Sequence, residues 1–235
     1  MSALRHSEFA FACGETSTIL RFTKVPSTDY ILKHKLIVFP SNDWALLAIL
    51  QSDLHSAWAW RWGLRRKRDL VYSPKRCAAT FPLPLGIHRL NGIAERYYTR
   101  RQSVMQARKE GLTKTYNRFH NPHESSSDIL ELRRLHVEMD QAVAAAYDWN
   151  DLDLGHGFHE TKQGPRYTIS EAARCKVLDL LLALNHQRHA EEDSEKIRFA
   201  AQAKLATKRG RKAKNDGGNA VNDLFDQGEA KYDER

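Results

Sequence analysis

Residues 111–149 read GLTKTYNRFHNPHESSSDILELRRLHVEMDQAVAAAYDW, and this stretch decides how the chain is organised. Its second half is apolar at Ile129, Leu132, Leu135, Met139, Val143 and Ala146. Spacings of three and four throughout predict an amphipathic helix opening at Ser127-Asp128 and closing near Trp149. At roughly 20 residues it spans about 30 Å. The first half predicts a polar loop carrying Lys114, Tyr116, Asn117, Arg118 and His120.

Upstream, residues 1–40 read as strands. Weak alternation at 8–12, the β-rich run 19–25 and the run 30–39 predict a small, half-buried antiparallel sheet. A sheet this small needs a helix against it, and its position suggests the remnant of a larger one. Ser41-Asn42-Asp43 supplies capping residues for one helix ending near Gly63. Tyr72-Ser73-Pro74 opens an extended stretch, and Phe81-Pro82-Leu83-Pro84 predicts a rigid connector. A second helix follows Gly86, with Gly111 placed as its C-terminal cap.

Downstream, residues 148–167 predict an acidic, glycine-bearing loop. Thr168-Ile169-Ser170-Glu171 predicts a capping box for a fourth helix that fades near His189. From about Lys204 the polar composition predicts loss of order. The expected fold class is α+β: a small N-terminal β-sheet with a helix, a mainly α-helical region and a disordered tail. The expected segments are 1–85, 86–195 and 196–235.

The 235 residues carry 37 Lys and Arg against 29 Asp and Glu, a net charge of +8, which favours polyanionic partners. The charge is segregated. Residues 61–76 hold seven basic residues against one Asp, and 96–118 hold seven against one Glu. Residues 124–160 hold nine acidic residues against two Arg. Arg61, Arg65, Arg66, Lys67 and Arg68 stand beside Trp58, Trp60 and Trp62, and Arg96, Arg100 and Arg101 beside Tyr97 and Tyr98. Arginine neutralises phosphates and reads guanine edges, so these clusters point to DNA, with a solvated helix face as the plainer alternative.

Other chemistries are poorly supported. Cys13, Cys77 and Cys175 form no CxxC pair, so neither a disulfide framework nor a thiolate zinc site is indicated. The three His-x-x-His pairs, His120/His123, His156/His159 and His186/His189, lack a third ligand, and no metal site is assigned. Asp151 or Asp153 with Glu160 and Lys162 mimics a metal-dependent nuclease, but in a loop with no strand to hold it. No G-x-S-x-G elbow and no Pro-Pro dipeptide occurs. No signal peptide and no apolar run long enough to span a membrane is present, so a cytoplasmic location is expected.

The ordered motifs LQSDLHSAWAWRWG, YSPKRCAATFPLP, GLTKTYNRFHNP, ILELRRLHVEMDQAVAAAYDW and HGFHETKQGPRYTISEAARCKVLDLLLALN resemble one family. It is the C-terminal target-recognition and helical region of fused type II (IIG and IIL) restriction–modification adenine-N6 DNA methyltransferases. The likeness covers roughly residues 8–190. It implies double-stranded DNA recognition for an enzyme whose catalytic Asn/Asp-Pro-Pro-aromatic loop and SAM site are not found in this sequence. SAM would then sit on a partner or missing domain, and the chain would be a split subunit or truncated product paired with a methyltransferase or nuclease polypeptide. Whether the chain is itself an enzyme is left open, and no catalytic residue is assigned. Arg61, Arg65, Arg66, Lys67, Arg68, Arg96, Arg100, Arg101, Lys114, Arg118 and His120 are the expected DNA-binding residues. The alternative is an interaction subunit that docks a methyltransferase with little DNA affinity of its own.

Overall fold

The computed structural model describes residues 8–26 and 35–219, with side chains up to Lys196. The expected strand at 30–34 and the tail 220–235 lie outside the described residues. The class is α+β, as the periodicities predict. Strands β1 (Phe9–Gly14), β3 (Thr23–Pro26) and β4 (Leu36–Phe39) form an antiparallel sheet in the order β3-β1-β4. The central strand β1 is buried on both faces along most of its length, so it does not alternate. A short β2 (Thr16–Ser17) joins a hairpin of β5 (Leu64–Arg66) and β6 (Asp69–Val71) in the order β2-β6-β5.

The single helix expected between residues 43 and 63 is two. Helix α1 (Trp44–Gln51) is capped by Asp43, whose Oδ1 accepts from Ala45 N at 2.9 Å. Ser52 then turns extended, and its hydroxyl caps α2 (Asp53–Trp62) by accepting from His55 N at 3.2 Å. The break frees Gln51 Oε1 to accept from Phe22 N at 3.0 Å, tying the helix end to the strands. After the hairpin, Pro74–Ala78 makes one wide helical turn where an extended stretch was expected, with Ala79 N bonded to Pro74 O. The prolines of 81–84 then carry the chain across as an irregular connector.

A 3-10 turn (Ile87–Leu90) leads into α3 (Asn91–Arg108). Lys109, at φ 52°, closes α3. Gly111 is therefore not its C-cap but precedes a new helix, α4 (Leu112–Phe119), where a polar loop was expected. Thr115, Tyr116 and Phe119 supply the buried face of α4, and its polar residues mask that stripe in the sequence. Helix α5 (Ser127–Ala146) stands where the apolar spacing places it, with Ile129, Leu132, Met139 and Val143 fully buried. Each such side chain contributes roughly 1.5–3 kcal/mol of burial.

The acidic loop at 148–167 is corrected to a loop followed by an antiparallel hairpin, β7 (Gly157–Thr161) and β8 (Gly164–Thr168). Ser170, not Thr168, caps α6 (Glu171–Asn219) by accepting from Ala173 N at 3.1 Å. The backbone of α6 stays helical past Lys204, to Asn219. One compact unit is Met1–Asn185. Its larger core draws Ile49, Leu54 and Trp58 together with Tyr97, Met139, Ile169 and Leu181. A smaller core lies under the sheets, around Phe11, Phe22, Leu70 and Tyr72. The second unit starts at His186, within α6.

One buried group gives the fold a pH signature. His55 is fully buried, its Nε2 2.9 Å from the Tyr72 hydroxyl and its ring edge-on to Phe81. Burial pushes its pKa down to about 3. The folded state keeps the ring neutral, while the unfolded chain takes up a proton below about 6.5. This contribution is therefore complete above about pH 6.5 and is lost as pH falls from there toward 3. His55→Phe should reduce the loss of stability between pH 8 and pH 5 by about 2 kcal/mol. Urea midpoints at the two pH values check this, and equal losses in both proteins would refute it.

Candidate functional site

The basic run 61–68 lies where α2 ends and the β5–β6 hairpin begins. Arg66, Lys67 and Arg68 form the exposed tip, with Lys67 at φ 57° to turn the chain. They have no ion pair or side-chain hydrogen bond among the described residues. Arg61 is exposed, its guanidinium 4.7 Å from the Trp62 ring centroid. Arg65 is exposed and donates to Trp60 O at 3.2 Å.

Arg65 also lines a cleft of about 530 Å³. The cleft lies between the segment 18–21, α2, His120, the β7–β8 hairpin and the start of α6. Its cationic lining is Arg21, Arg65, Lys162, Arg166 and Arg174, five groups against the three carboxylates Asp53, Glu160 and Glu171. Arg174 is paired with Glu171 and Arg21 with Asp53, which leaves Arg65, Lys162 and Arg166 as the basic wall. A neighbouring cavity of about 440 Å³ shares Arg21 and Arg166 and is lined by Thr113, Tyr116 and Asn117 of α4. The segment 114–120 thus borders a groove, as a helix.

The other expected contacts divide. Lys114 is exposed. Arg96 is paired with Glu138, and Arg118 is held by Glu110 and Glu124 at 2.8 and 2.9 Å. Arg100 is half-buried. Two residues belong to the interior instead. Arg101 is 1% exposed and donates to Phe22 O at 2.8 Å, so it braces α3 against the strand segment rather than facing a phosphate. His120 is 6% exposed, and burial, with Arg21 and Arg166 nearby, holds it well below the usual histidine range and therefore neutral.

Beneath the cleft lies a polar cluster that sequence reasoning missed. Asp53, His136 and Asp140 are buried at its centre, joined by His156 and Arg21. Asp140 Oδ1 accepts from Asp53 N at 2.9 Å, at the N-terminus of α2, where the helix dipole favours an anion. Thr168 Oγ1 donates to Asp53 Oδ2 at 2.7 Å. Burial alone raises the Asp53 pKa, but His136, Arg21 and the Thr168 hydroxyl outweigh it and hold the group below the ordinary carboxylate range. For His156, burial lowers the pKa, and Asp140 together with Asp53 more than reverses it. One signal was present in the sequence: His136 and Asp140, four apart, flank the apolar stripe of α5.

None of the His-x-x-His pairs converges. His156 turns to Asp140, while His159 Nε2 bonds Gly155 O. His120 is buried and His123 exposed, and His189 pairs with Asp193. Glu160 does stand on a strand, β7, but Asp153 is used to cap Gly155 N. Among the described residues no helix is long and apolar enough to cross a membrane.

No protein-family model matches the chain, and no curated protein matches it. Among solved structures it is similar to the type IIL restriction–modification enzyme MmeI, determined in complex with DNA, with a TM-score of 0.51 and 16% identity. The likeness covers 78% of this chain and 22% of that one. At this identity the likeness is one of fold: the chain shares its architecture with part of a restriction–modification enzyme.

Proposed function

We propose that this chain is a double-stranded DNA-recognition element of an adenine-specific methyltransferase or restriction–modification enzyme, with SAM bound by another domain or polypeptide. The observation that carries the reading is the unpaired basic tip 66–68, presented on a hairpin that borders a basic cleft. Such a tip neutralises phosphates and releases counterions. The shared architecture with an enzyme determined on DNA supports the same reading.

The test is a triple variant, Arg65→Ala, Arg66→Ala and Arg68→Ala, which spares Lys67 and its positive φ. Binding to duplex DNA should weaken for all sequences alike, and the slope of log K against log salt should shrink by about 2–3. Fluorescence anisotropy over a salt series measures both. An unchanged slope in a variant with unaltered melting would falsify the assignment. Leu83 and Leu85, 41% and 85% exposed in the connector, favour a second reading as a docking subunit. In that case the wild-type chain captures a methyltransferase polypeptide while showing no duplex affinity.

A further inference from the structure

We propose that Asp53, Asp140 and His156, with His136 beside them, form a site for a divalent transition metal of the zinc class, distinct from the basic surface. One ligand atom from each of Asp53, Asp140 and His156 lies within 4.8 Å of the other two. His136 lies against the two carboxylates, outside that set of three. Its Nε2 stands 3.3 Å from Asp53 Oδ1 and 3.5 Å from Asp140 Oδ2, yet neither ring nitrogen makes a hydrogen bond. A fully buried nitrogen this close to two oxygens and in line with neither points at the space between them, where an ion would lie.

The distances suit the ion. Metal–ligand bonds of about 2.0–2.2 Å in a tetrahedron put ligand atoms roughly 3.3–3.6 Å apart. The two His136 distances fall in that range. The 2.9 Å between Asp140 Oδ2 and His156 Nε2 is shorter, and His156 sits in the loop before β7, which can open by the half ångström required.

Each carboxylate is also divided between two tasks. Asp53 Oδ2 takes the Thr168 hydroxyl and Asp140 Oδ1 takes the Asp53 amide, while Asp53 Oδ1 and Asp140 Oδ2 turn inward. Outer hydrogen bonds of this kind orient metal ligands. Two carboxylates share the pocket with one arginine, Arg21, which stands 3.9 Å from Asp53. Imidazole beside carboxylates suits zinc better than calcium or magnesium. Asp53 also lines the cleft, which gives the ion an entry path. An ion here ties α2 and α5 to the loop ahead of the β7–β8 hairpin.

The full chain, stripped with chelator, is titrated with Zn²⁺ and, separately, with Co²⁺. One ion should bind per chain, with the visible bands of tetrahedral Co²⁺, and at 100-fold above Kd the thermal midpoint should rise by about 5–10 °C. His156→Gln, at the partly open ligand, should weaken binding by about tenfold or more. A double variant, His186→Gln with His189→Gln, removes the competing surface pair and should leave binding intact. Absence of a thermal shift and of Co²⁺ bands overturns the site and leaves a buried ion-pair cluster. Loss of binding in the His186/His189 variant alone overturns it in favour of surface capture. Neither result bears on duplex affinity, which is measured independently.

Discussion

Arg133→Met is expected to lower the unfolding free energy by about 3–5 kcal/mol, the largest loss among the single substitutions considered. Arg133 is 5% exposed and spends its guanidinium on four main-chain carbonyls. Nε donates to Phe119 O and Nη1 to Glu124 O, both at 2.9 Å. Nη2 donates to Arg118 O at 3.2 Å and Asn121 O at 2.9 Å. Two of these carbonyls end α4, where a cation also meets the negative end of the helix dipole. The rings of Phe158 and Tyr167 cover the group at 4.9 and 5.4 Å. Methionine fills much of the volume but removes the donor from the Phe119 and Glu124 carbonyls, while Arg118 O and Asn121 O keep only the amides of Asn121 and Glu124. Lysine restores the charge but not the fork, so Arg133→Lys should recover less than half of the loss. Urea unfolding of the three proteins decides the matter, and a deficit under 1 kcal/mol for Arg133→Met would show that water replaces the fork.

Gly63→Ala should cost about 2–3 kcal/mol, because an added methyl has nowhere to go. A Cβ at this position would lie 2.5 Å from Ala59 O, 2.6 Å from Leu70 Cδ1 and 3.2 Å from Cys77 Sγ. The first neighbour is helix backbone, already accepting from Gly63 N at 2.8 Å, and it cannot retreat without unwinding α2. Leu70 and Cys77 are fully buried, so they cannot swing into solvent. The strain falls on the junction that launches the basic hairpin. A melting temperature within 1 °C of wild type would contradict this placement.

Periodicity carried the sequence reading furthest where one face of an element is uniformly apolar. Helix α5 is the clearest case, and the Asp43 cap before α1 was equally legible. Helix α4 was missed because its buried face includes a threonine and a tyrosine, which read as polar. The β7–β8 hairpin was missed because its strands are half-buried and their aromatics, Phe158 and Tyr167, stand among Gly, His, Glu, Pro and Arg. Burial of charge was the least legible feature. Arg101 and Arg66 are alike in sequence, each within a basic run beside aromatics, but Arg101 meets the Phe22 carbonyl 79 positions away. The Asp53 cluster escaped for the same reason, since its members come from four separate segments. The exposed hairpin 65–68 could be found because it is local: its charges and its turn are contiguous.

The Asp53 cluster also sets the order of events during synthesis. Its hydrogen bonds join residues 87 and 115 positions apart, Asp53 with Asp140 and Asp53 with Thr168. A ribosome adding roughly 5–20 residues per second takes about 6–23 s to travel from Asp53 to Thr168. Throughout that interval the carboxylate of Asp53 has neither its hydroxyl donor nor His156 nearby, and α2 has no Asp140 carboxylate at its N-terminus for most of it. The N-terminal sheet can close early on α1, α2 and the β5–β6 hairpin, but the buried N-terminus of α2 must wait for α5 and the β7–β8 hairpin to emerge. A nascent chain halted at residue 150 holds Asp53 and Asp140 without the Thr168 hydroxyl and the His156 ring that satisfy them in the finished fold.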